Sequence, residues 1–215
     1  MKVQMIRQRA FIAVCIVFTT NAAAAATDDH AFPMDTNRVP PGYQALLARR
    51  LFSSSANYGR IVILPSGFVG ETALSIDSHG VDGSARLTCA QAARSLWDPV
   101  FFHHPDMKLN LRVRIERCNA FLPEKAAKSL ANVIEYLVRR SSAKTAHEWV
   151  ALDGTDFELI SPSAGMALVT PLSRGARIRA FLRIVQLLQR FCVSPEKERG
   201  EIVDSLYELA GVIVQ

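Results

Sequence analysis

In the stretch LNLRVRIERC, Leu109 to Cys118, apolar and polar side chains alternate from Leu109 to Glu116. A period of two predicts a β-strand with one face on a core and the other in water. After three more residues the chain continues as LPEKAAKSLANVIEYLVRRSS, with apolar side chains at helical spacing and Pro123 at a suitable first helical position. This junction predicts a strand that leads directly into a long amphipathic helix.

Further strands are predicted before this junction. GRIVILP (Gly59 to Pro65) is a continuous branched run, typical of a strand buried on both faces. ETALSID (Glu71 to Asp77) and SARLTCA (Ser84 to Ala90) alternate, and the residues between them contain two turn-forming glycines. A short helix is predicted between Pro41 and Ser55 from the spacing of its tyrosine and leucines.

A hairpin is predicted after the helix, because Asp153-Gly154 separates two alternating runs. In this hairpin Phe157 faces the core, while Asp156 and Glu158 fall on the opposite, wetter face. GMALVTP (165–171) is a possible further strand, and two amphipathic helices end the chain. The order predicts an α+β fold with a mainly antiparallel sheet of about five to seven strands, packed by two or three C-terminal helices.

The first 26 residues have the features of a secretory signal peptide. Basic residues precede a short apolar run, and NAAAAA supplies small residues at the cleavage site. The sequence therefore predicts an exported protein, periplasmic or secreted, with an extended arm and short helix over 27–58 and one domain over 59–215. No later stretch is apolar enough to predict an integral membrane segment.

The charge balance gives no reason to expect a nucleic-acid partner. The whole chain carries 25 Lys and Arg against 20 Asp and Glu. Loss of the predicted signal peptide, with its three basic residues, leaves 22 basic and 20 acidic residues, a net charge of +2. Most of the net positive charge of the precursor thus lies in the predicted signal peptide.

Three cysteines lie beyond the predicted signal peptide. An oxidising compartment allows one disulfide among them, and Cys89 and Cys118, which follow strand-like runs, are the preferred pair. Cys192 lies on an apolar helical face and is expected to be buried. The spacing matches no zinc pattern, and no motif indicates a cofactor.

Few residues are candidates for catalysis or metal binding, and none is assigned such a role. His103 and His104 are adjacent, so on an extended chain they point to opposite faces. Ser66 follows a strand but lacks the G-x-S-x-G pattern of a nucleophile elbow. Asp153 and Asp156 belong to the predicted hairpin, where the turn chemistry explains them better than a metal or acid/base site does.

Arginines are frequent on two predicted elements and could form a partner surface. Arg177 and Arg183 lie on the helix that begins near Arg174, and Arg112 and Arg114 lie on the predicted strand, with Arg117 close behind. If the two groups are adjacent, they would suit an acidic protein; the helix alone could instead lie on anionic lipid.

The order of these parts resembles a broad group of uncharacterised exported bacterial proteins. The matching parts are Arg60 to Ser66, Leu109 to Arg117, Pro123 to Arg140 and Val150 to Ser161, which holds the LDGT-type hairpin. The resemblance implies an exported α+β protein and carries no catalytic residues.

Three functions are compatible with the sequence. The first is a non-enzymatic periplasmic protein that binds another exported protein, as an accessory, inhibitor or immunity-type protein. The second is a periplasmic hydrolase that uses some combination of Ser66, His103, His104, Asp153 and Asp156. The third is a protein of the anionic membrane surface that uses the arginine-rich helix.

Overall fold

The fold is α+β, as the sequence predicts. A computed structural model describes residues 31–33, 43–52, 56–65, 69–79, 83–96, 113–141, 155–169 and 175–215. Its strands are β1 (Phe32–Pro33), β2 (Gly59–Leu64), β3 (Thr72–Ser78), β4 (Ser84–Ala92), β5 (Ile115–Pro123), β6 (Asp156–Ser161) and β7 (Gly165–Val169). Its helices are α1 (Tyr43–Leu51), α2 (Glu124–Arg139), α3 (Ala176–Val193) and α4 (Glu196–Val214).

The strands form one antiparallel sheet in the order β1-β7-β6-β2-β3-β4-β5. Strands β2 to β5 follow one another in space as in sequence, as expected of a meander. The chain then passes through α2 and returns as β6 on the other side of β2. Strand β5 therefore stands at one edge of the sheet and the two-residue β1 at the other.

The main core lies between the sheet and helices α2, α3 and α4. The apolar stripes that the sequence predicts for these helices are buried against inward side chains of the strands, with Phe181 and Phe191 among the largest fully buried residues. The Phe181 ring meets the Phe157 ring edge-on, at 5.9 Å between centroids. Burial of such aromatic residues dominates the stability of a core.

The opposite face of the sheet carries a second, smaller core under α1. Tyr43, Leu46, Leu47 and Leu51 are buried there against β2, β3 and β4. The short helix predicted between Pro41 and Ser55 is therefore present, and it is part of the domain that was predicted to begin at residue 59. Ala31, also before that boundary, is fully buried in the main core.

Strand β6 has a partner on each side. It pairs with β2 over Asp156 to Ile160 and with β7 over Phe157 to Ser161. The predicted turn at Asp153-Gly154 lies outside the described part of the chain. The observed hairpin is β6–β7, which confirms the predicted strand at Gly165.

Among the described residues, no helix is long and apolar enough to cross a membrane.

Candidate functional site

The α1 face of the sheet holds four buried carboxylates that sequence periodicity did not identify as buried. Glu158 is fully buried, Glu71 is 2% exposed, Asp77 is 3% exposed and Asp156 is 9% exposed. Asp156 and Glu158 do face away from Phe157, as predicted, but that face is covered rather than wet. Alternation assigns side chains to opposite faces, and it does not show whether another element covers a face.

Glu71 is held by a complete set of donors. Its Oε1 accepts from the Tyr43 hydroxyl at 2.9 Å and from Ser95 Oγ at 3.1 Å, and its Oε2 accepts from the Leu96 backbone N–H at 2.7 Å. These bonds join α1, the start of β3 and the segment after β4 at one buried point. Burial, followed by the charge of Glu71, raises the pKa of Tyr43 well above its usual value, so Tyr43 remains a donor.

We expect Glu71→Gln to destabilise the fold, because an amide supplies one acceptor oxygen where the carboxylate supplies two. Each buried donor left without a partner costs about 1–3 kcal/mol. Urea titration of Glu71→Gln should show a free energy of unfolding that is lower than the parent's by an amount in that range. The same substitution at the exposed Glu208 of α4 serves as control and should change stability by less than about 0.5 kcal/mol. Equal stability of the two variants would contradict the structural role of Glu71.

Asp156 and Glu158 are less well satisfied. Glu158 Oε2 accepts from Gln44 Nε2 at 3.1 Å, whereas Glu158 Oε1 and Asp156 Oδ1 have no hydrogen-bond partner in the structure. Burial raises the pKa of Asp156 from 3.8 to about 6. Burial also raises the pKa of Glu158, partly offset by the bond from Gln44. The environment of both groups therefore favours the neutral acid.

Beyond α1, the same face of the sheet carries a mixed-charge region. The Arg60 guanidinium lies 4.5 Å from the centre of the Phe52 ring, and partial burial lowers its pKa while nearby Asp77 opposes that shift. Asp77 itself is 4.0 Å from Arg86 Nη2. An open depression of about 380 Å³ adjoins Arg60, and its lining residues are Ala56, Asn57, Arg60, Ile160 and Pro162. Its position beside opposite charges gives it no clear preference for an anion or a cation.

Strand β5 is an edge strand, and among the described residues only β4 pairs with it. Two backbone hydrogen bonds just beyond the ends of the β4–β5 ladder show which opposite residues form hydrogen-bonded pairs. The Ala93 N–H donates to the Arg114 carbonyl, and the Glu124 N–H donates to the Gly83 carbonyl, each at 2.9 Å. In an antiparallel ladder such exchanging pairs recur at every second residue. Cys118 is therefore in a hydrogen-bonded pair with Cys89, and the residues between such pairs direct their backbone groups outward.

Four residues of β5 thus present N–H and C=O groups to the outside of the sheet: Ile115, Arg117, Asn119 and Phe121. Within the ranges that the structure describes, no strand pairs with this edge. Pro123 falls at the next outward position, where its lack of an N–H costs the ladder nothing. The Phe121 side chain is 52% exposed, and its ring lies tilted against the His79 ring, with 4.7 Å between ring centroids.

The structure contradicts the predicted disulfide between Cys89 and Cys118. The two residues are directly opposite each other on β4 and β5, so the prediction identified true neighbours, but both thiols are free. A hydrogen-bonded antiparallel pair keeps its Cβ atoms near the upper end of about 4.5–5.5 Å, whereas a disulfide needs about 3.5–4.5 Å. The register therefore holds these two side chains too far apart.

Cys192 completes a cluster of three cysteines that sequence spacing did not reveal. It is buried, as predicted, at the end of α3 above the Cys89–Cys118 pair. The Cys118 thiol donates to the Cys192 carbonyl at 2.7 Å, and the Cys192 thiol lies 3.6 Å from the Cys118 carbonyl.

The contacts of the described arginines do not bring them together into the predicted partner surface. Arg114 pairs with Glu116 at 3.3 Å beside the start of β5, Arg183 bonds Gln186 at 3.1 Å, and Arg177 lies 5.9 Å from the Tyr136 ring centre. Cys192, which contacts β5, is fifteen residues from Arg177, about 22 Å along α3. Arg114 and Arg117 also belong to opposite faces of the sheet, since they are three residues apart.

Several residues named from the sequence lie outside the described part of the chain. These are Ser66, His103, His104, Arg112 and Asp153. Of the residues considered for a hydrolase, the structure places only Asp156, which is buried beside β2. Among the described residues, no group of three or more His, Cys, Asp and Glu side chains has an arrangement that could hold a metal ion.

Comparisons with known proteins give no assignment. No protein-family model, no curated protein and no solved structure matches this chain.

Proposed function

We propose that this chain is a non-enzymatic exported protein that binds an extended segment of another exported protein along β5. The observation that carries the proposal is the outer edge of β5, which no described strand pairs with and which has four outward-facing N–H and C=O pairs beside an exposed Phe121. An exposed sheet edge is a template for strand addition, in which main-chain hydrogen bonds supply affinity and side chains supply specificity.

The side chains of β5 favour a selective partner. Arg114, Glu116 and Arg117 place charges of both signs along the edge, which discourages indiscriminate pairing with apolar strands. Arg117 is fixed by a bond from its guanidinium to the Arg50 carbonyl at 2.6 Å. Its charge is therefore positioned before any partner arrives, which reduces the entropy lost on binding.

The partner segment has a defined pattern. Arg117 and Phe121 project from the same face of β5, four residues apart, because side chains alternate. A strand added beside β5 meets them with two side chains that are also four residues apart. An acidic side chain opposite Arg117 and an apolar one opposite Phe121 would be favourable cross-strand pairs.

The first test is recovery of the partner from the native host. The tagged protein is crosslinked, and the proteins that co-purify from the periplasmic and culture fractions are identified. We expect one dominant stoichiometric exported partner, crosslinked through residues of β5. Recovery of the protein alone, or of a second copy of itself joined through β5, would overturn the proposal.

A pair of variants at one position tests the backbone contact. Phe121→Pro removes the side chain and an outward N–H, whereas Phe121→Ala removes only the side chain; neither breaks a β4–β5 hydrogen bond. Because an interstrand bond is lost and the proline ring obstructs the edge, we expect Phe121→Pro to bind about tenfold more weakly than Phe121→Ala. Circular dichroism checks that both variants fold. Equal binding by two folded variants would argue against strand addition.

A further inference from the structure

Cys118 and Cys192 face each other where the helix layer meets the edge of the sheet. Cys118 lies on β5, and Cys192 lies in the last turn of α3, 74 positions later in the sequence. The Cys118 sulfur is 2.7 Å from the Cys192 carbonyl oxygen, and the Cys192 sulfur is 3.6 Å from the Cys118 carbonyl oxygen. Each thiol therefore lies against the backbone of the other residue. The proposed binding function uses neither thiol.

We propose that Cys118 and Cys192 form a disulfide by exchange with a small external disulfide, which ties the end of α3 to β5 and leaves Cys89 as a thiol. Their reciprocal contacts already bring the two residues together, so the main change that the bond requires is rotation of the two side chains. Cys89 is a poorer partner for Cys118, because the β4–β5 register keeps their Cβ atoms farther apart than a disulfide allows. Cys192 belongs to the helix layer, where no strand ladder fixes that distance.

The location of the pair at the sheet edge makes it accessible to a small reagent. Cys118 is half-buried on an edge strand, whereas Cys192 is only 4% exposed. Exposure therefore assigns Cys118 as the thiol that meets the reagent first. Disulfide formation breaks the bond from the Cys118 thiol to the Cys192 carbonyl, and this loss is small because a thiol is a weak hydrogen-bond donor.

The external disulfide is the oxidant, and the exchange needs no further reactant. The Cys118 thiol loses its proton to water and attacks one sulfur of the reagent, whose disulfide bond breaks, and the departing thiolate takes up a proton. The Cys192 thiol then loses its proton and attacks the Cys118 sulfur of the mixed disulfide, which releases the second half of the reagent as a thiol. Two protein thiols are oxidised, and one external disulfide is reduced to two thiols.

The experiment uses the full chain carrying Cys15→Ser, so that Cys89, Cys118 and Cys192 supply its only thiols. The protein is incubated with oxidised glutathione, its remaining thiols are blocked, and its intramolecular disulfide is located by peptide mapping. We expect Cys118 to be joined to Cys192. A bond from Cys89 to either of the other two cysteines, or a protein in which no intramolecular disulfide forms, would overturn the proposal.

Serine variants test the pairing a second time, with Cys89→Ser as the matched control. Cys89→Ser should form its intramolecular disulfide within about twofold of the parent rate, whereas Cys118→Ser and Cys192→Ser should form one about tenfold more slowly or not at all. A serine hydroxyl at position 118 keeps a donor for the Cys192 carbonyl, so Cys118→Ser is expected to fold. A rapid disulfide in Cys118→Ser or Cys192→Ser would contradict the proposal, and mapping of the parent protein decides the question if a variant fails to fold.

The melting temperature shows whether the folded protein accommodates the bond. The disulfide would close a loop of 74 positions between β5 and α3, so the oxidised parent should melt about 5–15 °C above its reduced form. Cys192→Ser treated with the same reagent should shift by less than about 2 °C. An oxidised parent that melts no higher than its reduced form would overturn the proposal.

Discussion

Replacing Gly70 with alanine is expected to disrupt the fold more than any other single-methyl addition to the glycines described here. A Cβ at this position would lie 1.8 Å from the Ala92 carbonyl oxygen and 2.9 Å from the Arg94 carbonyl oxygen, both backbone atoms. Ala92 also donates its N–H to the Glu71 carbonyl at 2.9 Å, so the chain cannot move away without breaking that bond. Overpacking of this kind costs about 3 kcal/mol or more.

Urea unfolding of Gly70→Ala measures this cost. Gly200→Ala is the matched control, because a Cβ there meets no atom within 4 Å and the residue lies in helix α4. That control should be more stable than the parent by about 0.5–1 kcal/mol, since alanine is the better helix former. If the free energy of unfolding of Gly70→Ala lies within about 1 kcal/mol of the parent value, the contact between the start of β3 and the end of β4 is looser than described.

Replacing Asp156 with asparagine is expected to stabilise the protein at neutral pH. Burial raises the pKa of Asp156 from 3.8 to about 6, so the folded state favours the protonated acid. Stability is therefore lost as pH rises from about 4 to about 6. At pH 7 the full penalty applies, about 3 kcal/mol for a shift of about two pKa units at 1.36 kcal/mol each. Asparagine carries no charge at any of these pH values and avoids the penalty.

The sign of this effect is tested by chemical denaturation between pH 3 and pH 8. The free energy of unfolding of Asp156→Asn should exceed that of the parent by about 2–3 kcal/mol at pH 7, and the difference should shrink toward zero near pH 3. Asp204→Asn, the same chemical change on the exposed surface of α4, should show no comparable pH dependence. A difference that is constant with pH, or an Asp156→Asn protein that is less stable at pH 7, would contradict the buried state of this carboxyl group.

Sequence periodicity predicted the helices of this protein well because each helix carries its burial pattern within one segment. The stripe of α2 from Ala126 to Val138 is buried as predicted, and so are the inward residues of α3 and α4. The helix α1 was also located correctly, but its membership of the domain was not. Nothing in nine residues shows which surface a short amphipathic helix will cover.

The candidate sites depended on long-range contacts, and sequence predicted them less well. The pairing of β6 with β2 joins strands about a hundred positions apart. Cys89 and Cys118 were recognised as neighbours from two strands, whereas the approach of Cys192 requires the packing of α3 on the sheet. Glu158 is buried because α1 covers its face of the sheet. Alternation alone predicts that this face is polar and exposed.

The sheet order has a consequence for the path of folding. Strands β2, β3 and β4 are joined by short connections, so they can pair early, whereas β6 follows α2 in the chain and pairs with β2 across a much longer sequence separation. Until that pairing forms, the second edge of β2, the most continuously apolar strand, has no partner. A chain that has not finished folding would expose this edge, and aggregation or chaperone capture should depend on how fast β6 pairs with it.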